Sequence, residues 1–130
     1  MKNNIKDSFM KDTLLKFRDS YGGNGKIVVT SILECEKNEL LEGMKINLYK
    51  ISGLSPILVE SKITDIEGKV IFEGIENGCY RIIAIVDKRY FEKPKYIKWN
   101  EFTIDDTNKE QKVVIINKNK LPTMENKHSN

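Results

Sequence analysis

Apolar residues in the first 20 positions recur at spacings of three to four: Ile5, Phe9, Met10, Leu14 and Phe17. Asp7, Lys11, Asp12, Lys16 and Arg18 fall on the other faces. This spacing matches the 3.6-residue turn and predicts a short amphipathic helix over 1–20. Tyr21-Gly22-Gly23-Asn24-Gly25 then breaks the pattern, and its glycines make a flexible joint. From Lys26 the chain reads as strands. Lys26 to Leu33 is rich in β-branched residues, and Gly43 to Tyr49 alternates with Met44, Ile46 and Leu48 on one face. Residues 51–55 read as a loop, with Gly53 and Pro56 as breakers, and Ile57 to Thr64 as the next strand. Asp65-Ile66-Glu67-Gly68 is a turn signal, followed by a short strand Lys69 to Phe72. Cys79 to Asp87 is the most apolar run and predicts a central, buried strand. Residues 94–104 read as one irregular segment, and Lys112 to Asn117 as the closing strand. The polar stretch from 119 to 130 predicts a disordered tail. Short strands at such intervals, with no helices between them, predict a sandwich.

Composition narrows the function classes. Of 130 residues, 39% are hydrophobic and 32% charged, which fits one soluble domain with a single core. The net charge of +3 is small and the lysines are dispersed, so no nucleic-acid footprint is expected. No run of apolar residues is long enough for a membrane span. The charges in residues 1–20 interrupt any signal-peptide core, so no export signal is expected there, and the compartment stays unknown. Cys35 and Cys79 are read as free thiols, and the one histidine is His128. Neither a metal site nor a cofactor is expected.

The order of motifs resembles the prealbumin-like (SpaA/CnaB-type) repeat of Gram-positive bacterial surface proteins. Gly25-Lys-Ile-Val-Val-Thr looks like its first strand, and Leu41-Glu-Gly-Met-Lys-Ile-Asn-Leu-Tyr49 like its second. Thr64-Asp65-x-x-Gly68-x-Val70-x-Phe72-x-Gly74-Ile75-x-x-Gly78-x-Tyr80 looks like its central signature. Val113 to Asn117 looks like its last strand. The resemblance covers residues 25–118. It implies an all-β fold: a single seven-stranded antiparallel sandwich of transthyretin/CnaB type, preceded by the short helix. The expected layout is helix and linker in 1–24, sandwich in 25–118 and tail in 119–130.

Many proteins of this kind join a first-strand lysine to a last-strand asparagine by an isopeptide bond, helped by an acid on the central strand. The resemblance places Ser31, Ala84 and Asn117 at those three positions. Only the asparagine is kept, so no isopeptide of the usual kind is expected. Leu121-Pro122-Thr123-Met124-Glu125 begins like a sortase anchor, but threonine comes one place early and glycine is absent. The histidine-dependent enzymes built on related sandwiches have no counterpart here, and no nucleophile with a paired base is visible.

The remaining chemistry lies on the surface. Residues 90–99 hold Tyr90, Phe91, Tyr96 and Trp99 among lysines. Phe91, Ile97 and Trp99 either close an open end of the sandwich or belong, with Tyr90 and Tyr96, to a platform for a sugar or a partner protein. A sandwich edge offers another site, for strand addition by a second chain. The sequence therefore predicts a non-catalytic structural or adhesion module whose partner is a protein or another copy, with Ile5, Phe9, Leu14 and Phe17 as an assembly helix. The alternatives are a carbohydrate- or small-ligand-binding module and an accessory domain like the regulatory sandwich of carboxypeptidases.

Overall fold

A computed structural model describes residues 23–121. The helix predicted over 1–20, with Ile5, Phe9, Leu14 and Phe17, lies outside the described residues, as does the tail beyond Leu121. The described chain is all-β: β1 (Gly25–Leu33), β2 (Glu39–Leu40), β3 (Lys45–Ser52), β4 (Ser55–Ile63), β5 (Lys69–Ile75), β6 (Gly78–Ile85), β7 (Lys95–Tyr96), β8 (Glu101–Ile104) and β9 (Glu110–Asn117). The expected count was seven. The two additions, β2 and β7, are two-residue strands, too short to leave a periodic signal.

Two sheets face each other. In one, β9 separates β1 from β7, while β2 and β5 pair with successive parts of β1. The other runs β4-β3-β6-β8. The expectation of a wholly antiparallel sandwich needs correction: β1 and β9 run parallel over eight registered pairs, from Lys26↔Glu110 to Leu33↔Asn117. Strand direction is a long-range property that side-chain alternation does not encode.

Alternation along the strands builds the core. Ile27 and Val29 on β1, Ile46 and Leu48 on β3, Val70 and Phe72 on β5, Tyr80 and Ile82 on β6, and Val113 and Ile115 on β9 all point between the sheets. The breakers of the second hairpin act at its tip only. β3 continues to Ser52 and β4 begins at Ser55, so the loop expected over 51–55 shrinks to Gly53-Leu54. Pro56 lies on β4 at the sheet's margin, where a missing N–H costs no ladder bond. Residues 94–104 hold two strands, β7 and β8, one on each sheet. The chain also stays attached past residue 118: Phe91 bridges Asn119, and Lys120 N–H donates to Tyr90 O.

The Thr64–Gly68 motif ties the sheets together. Thr64 Oγ1 donates to Leu41 O and accepts from Met44 N–H, both at 2.8 Å. Asp65 Oδ1 accepts from the N–H groups of Glu67 and Lys69, closing the turn. Gly68 has φ +72°, and a Cβ there would stand 2.7 Å from Ser31 O and 2.9 Å from Leu41 N. Glycine is the residue that permits both the left-handed backbone and this approach.

Candidate functional site

Two strands meet in parallel at the inner end of β1 and β9, and their inward side chains there are polar. Ser31 and Asn117 are both fully buried. Asn117 Nδ2 donates to Ser31 Oγ at 2.8 Å and to Ile32 O at 3.2 Å. Its carbonyl oxygen, Asn117 Oδ1, is buried with no hydrogen-bond partner among the described residues. Burial without a partner costs on the order of 1–3 kcal/mol, so this is the most strained polar atom of the seam. The Ser31 main chain is pinned as well: its N–H donates to Gly68 O and its C=O accepts from Leu41 N–H.

Ala84 lies on β6 of the opposite sheet, pairs with Ile46 and is buried. Its methyl side chain has no ionisable proton to give or take. Its N–H donates to Tyr96 Oη at 2.9 Å. Tyr96 belongs to β7, where it pairs with Ile115 of β9, so the phenol spans from one sheet to the other. This bond has a structural reason. The β6–β8 ladder ends at Arg81↔Glu101, and Asn100 continues it by one step, its C=O accepting from Ile82 N–H and its side-chain amide donating to Ile82 O. Beyond that point no described strand pairs with β6 on this side, and the Tyr96 hydroxyl satisfies the next N–H. Burial holds the Tyr96 phenol above its ordinary 10.0, opposed in part by the Ala84 N–H bond.

The four aromatic residues of the predicted platform are not brought together. Phe91 and Tyr96 pack against the core, while Tyr90 and Trp99 are exposed. Phe91 and Tyr96 line an open groove of about 970 Å³ beside the end of β6, with Ile83, Ile85, Lys88 and Lys93 among the other walls. Tyr90 and Trp99 do not line it. Arg89 stacks over the Tyr90 ring at 5.3 Å and forms an ion pair with Asp87. The groove was missed in the sequence because it lies beside the end of β6, which pairs with β3 but runs past β8, a property of topology.

Cys79 is also misplaced by sequence reasoning. It was expected to be buried, but it is exposed on the outer face of β6, 3.5 Å from the Thr103 hydroxyl. Tyr80, Ile82 and Ala84 take the inward positions. The Tyr80 hydroxyl donates to a main-chain partner, Glu76 O, at 2.7 Å. Among the described residues no cluster of three or more His, Cys, Asp or Glu is placed to hold a metal, and no helix is long and apolar enough to cross a membrane.

No family model matches the chain, and no curated protein matches it significantly. Solved structures do. The backbone protein of the group B streptococcus pilus 2b aligns at TM-score 0.55 and 14% identity, over 74% of this chain and 41% of that one. The minor pilin GBS52 of Streptococcus agalactiae aligns at TM-score 0.55 and 19% identity, over 78% and 49%. The pilus adhesin of Streptococcus pneumoniae aligns at TM-score 0.55 and 19% identity, over 76% and 15%. The fold is thus the SpaA/CnaB-like β-sandwich of Gram-positive pilin domains. The chain spans under half the length of each of these proteins.

Proposed function

We propose that this chain is a non-catalytic structural or adhesion module of a bacterial surface-type assembly, held by packing and hydrogen bonds without the usual intramolecular isopeptide bond. The observation that carries the reading is the Ser31–Asn117 seam inside a pilin-type sandwich. The serine Oγ accepts from the asparagine amide, and the residue at the third position of the crosslinking chemistry, Ala84, brings no acid. An amide exchange needs a neutral amine to attack the asparagine carbonyl and a proton carrier to release ammonia. A hydroxyl held as an acceptor and a methyl group supply neither. Such a core also avoids the desolvation cost, several kcal/mol per ion, of burying a lysine and a carboxylate.

Assembly is the role in which this fold occurs among the pilins and the adhesin it resembles, and it needs no catalytic group. The apolar positions Ile5, Phe9, Leu14 and Phe17 are the proposed contact to a partner. Intact mass spectrometry tests the seam: the sequence mass is expected, and a loss of one ammonia overturns that part of the proposal. Light scattering across concentration tests the assembly. Association that weakens when residues 1–20 are deleted supports it, whereas a full-length chain that is monomeric throughout counts against it.

A second reading, a ligand-binding module, is favoured by the apolar groove beneath Lys88 and Lys93. Its residues would be Phe91 and Tyr96 in the wall, with Tyr90 and Trp99 at the surface. Glycan-array binding lost in Lys93→Ala, at the groove wall, would support the groove over assembly, and loss in Trp99→Ala alone would put the ligand on the exposed aromatic surface instead.

A further inference from the structure

The margin formed by β4 is the longest sheet edge among the described residues. β4 is nine residues long and, among the described residues, pairs only with β3, so its other side offers main-chain groups that no described strand takes up. It is also unusually apolar for an edge: Ile57, Leu58, Val59 and Ile63 are all exposed. Long, apolar, unpaired edges pair with further strands unless something blocks them.

Two blocking devices are present, and together they favour one two-fold arrangement of β4 against β4. Pro56 lacks an N–H and disables the first part of the strand. Glu60 and Lys62 pair with Leu48 and Ile46, two core residues, so their side chains project toward the inner side of the sheet margin. Lys62 Nζ donates to Ile71 O of β5 at 2.7 Å, lies 5.6 Å from the Phe72 ring centroid and 3.9 Å from Glu60 Oε2. Consider a second copy approaching antiparallel about a two-fold axis. Partners must both turn their main-chain groups toward each other, so the registers differ by steps of two residues. One register sets Glu60 opposite Glu60, and another sets Lys62 opposite Lys62; like charges directly opposite are unfavourable. A register centred on Val59 puts Lys62 opposite Pro56 and runs through the irregularity that follows Leu48. Centring on Ser61 sets Glu60 opposite Lys62 twice, by symmetry, sets Val59 opposite Ile63 twice, and keeps Pro56 out of the ladder.

We infer that two copies of this chain associate through β4 in an antiparallel, two-fold pair centred on Ser61, fusing their β4-β3-β6-β8 sheets. The contact is isologous and closes at two chains. It deepens the proposed assembly role by naming a partner for the sandwich itself, and it does not use residues 1–20.

Sedimentation velocity of the full chain tests it. A monomer–dimer equilibrium is expected. Lys62→Glu, which brings four carboxylates together, raises the dissociation constant about tenfold or more, since both symmetric pairs are lost. The exchange Glu60→Lys with Lys62→Glu restores association. This second variant separates lost pairing from lost folding. In a chain with Cys35→Ser and Cys79→Ser, a Ser61→Cys variant oxidises to a covalent dimer, because directly opposed residues fall within disulfide reach, whereas Val59→Cys alone does not. A monomer at every concentration, an unchanged equilibrium in Lys62→Glu, or equal crosslinking by Val59→Cys overturns the inference. If association survives Lys62→Glu but is lost on deleting residues 1–20, the assembly role stands and the β4 contact falls.

Discussion

Asn117 and Ser31, 86 residues apart in the chain, meet in the core with the asparagine amide donating to the serine hydroxyl oxygen at 2.8 Å. Both residues sit where the parallel pairing of β1 and β9 brings the first and last strands together. The two Nδ2 protons are used, one on Ser31 Oγ and one on Ile32 O, while Oδ1 is left over. The pair is therefore a weak point in energy even though it is central in position.

A double-mutant cycle should show this. Ser31→Ala removes one acceptor and leaves a buried N–H, at an expected loss of about 1–2 kcal/mol in urea unfolding. Ser31→Ala with Asn117→Leu removes the donor, the acceptor and the orphaned carbonyl together. The double variant should unfold within about 1 kcal/mol of the parent, because replacing both partners by apolar groups can be nearly neutral. A double variant as unstable as the sum of the single ones would show that the seam contributes more than this geometry allows.

The turn that closes on Ser31 should be far less tolerant. At Gly68 alanine meets two penalties: φ +72° and a Cβ 2.7 Å from Ser31 O. Both obstacles are main chain, so no side-chain rotation relieves them. Gly68→Ala is expected to cost about 3 kcal/mol or more, by left-handed strain and a forced shift of β1. Gly53→Ala is the control. Its φ is +72° as well, but nothing lies within 4 Å of its Cβ, so it pays for strain alone at about 1 kcal/mol. Thermal unfolding of the two variants checks the difference.

These contrasts also show what the chain declares locally. The Asp65–Gly68 turn was legible because Asp65 acts within four positions, on Glu67 and Lys69. β6 was legible as a central strand from its apolar run. The outward place of Cys79 was not, since a nearly continuous apolar run conceals which alternate residues face out. Pro56 misled for a related reason: it reads as a breaker, and only the position of β4 at the margin makes it harmless. The groove beside Ile83 and Ile85 could not be read at all. It exists because β8 stops pairing at Arg81, and no nearby residue encodes where a distant strand ends.

The turn after β6 carries a strongly shifted carboxylate. Asp87 is pulled from 3.8 to about 2, first by its side-chain bonds to Arg89 and then by the Arg89 N–H, with the guanidinium charge adding to both. A depressed carboxylate contributes stability that is present above pH 3.8 and is lost as pH falls through about 2. The pair is solvent-exposed, so the contribution to folding is small. The direct measurement is an NMR titration of the Asp87 carboxyl. Its midpoint is expected near the depressed value and should move up toward 3.8 in Arg89→Ala.

Tyr96 offers the matching experiment at high pH. Its phenol is held above 10.0 mainly by burial, and its oxygen accepts the Ala84 N–H that β8 leaves unpaired. In the folded chain the proton is bound more tightly than in the unfolded chain. Its share of stability is therefore complete below pH 10 and is lost as pH rises through the raised folded value. Tyr96→Phe keeps the ring against the core but leaves the Ala84 N–H without its acceptor. The variant should lose about 1 kcal/mol at neutral pH. It should also flatten the decline of stability above pH 10, because the group that titrates is gone. Denaturant unfolding of both proteins on either side of that pH measures the two effects together. A variant that matches the parent at neutral pH would mean that another group takes the Ala84 N–H. An unchanged alkaline slope would assign the titration to a different residue.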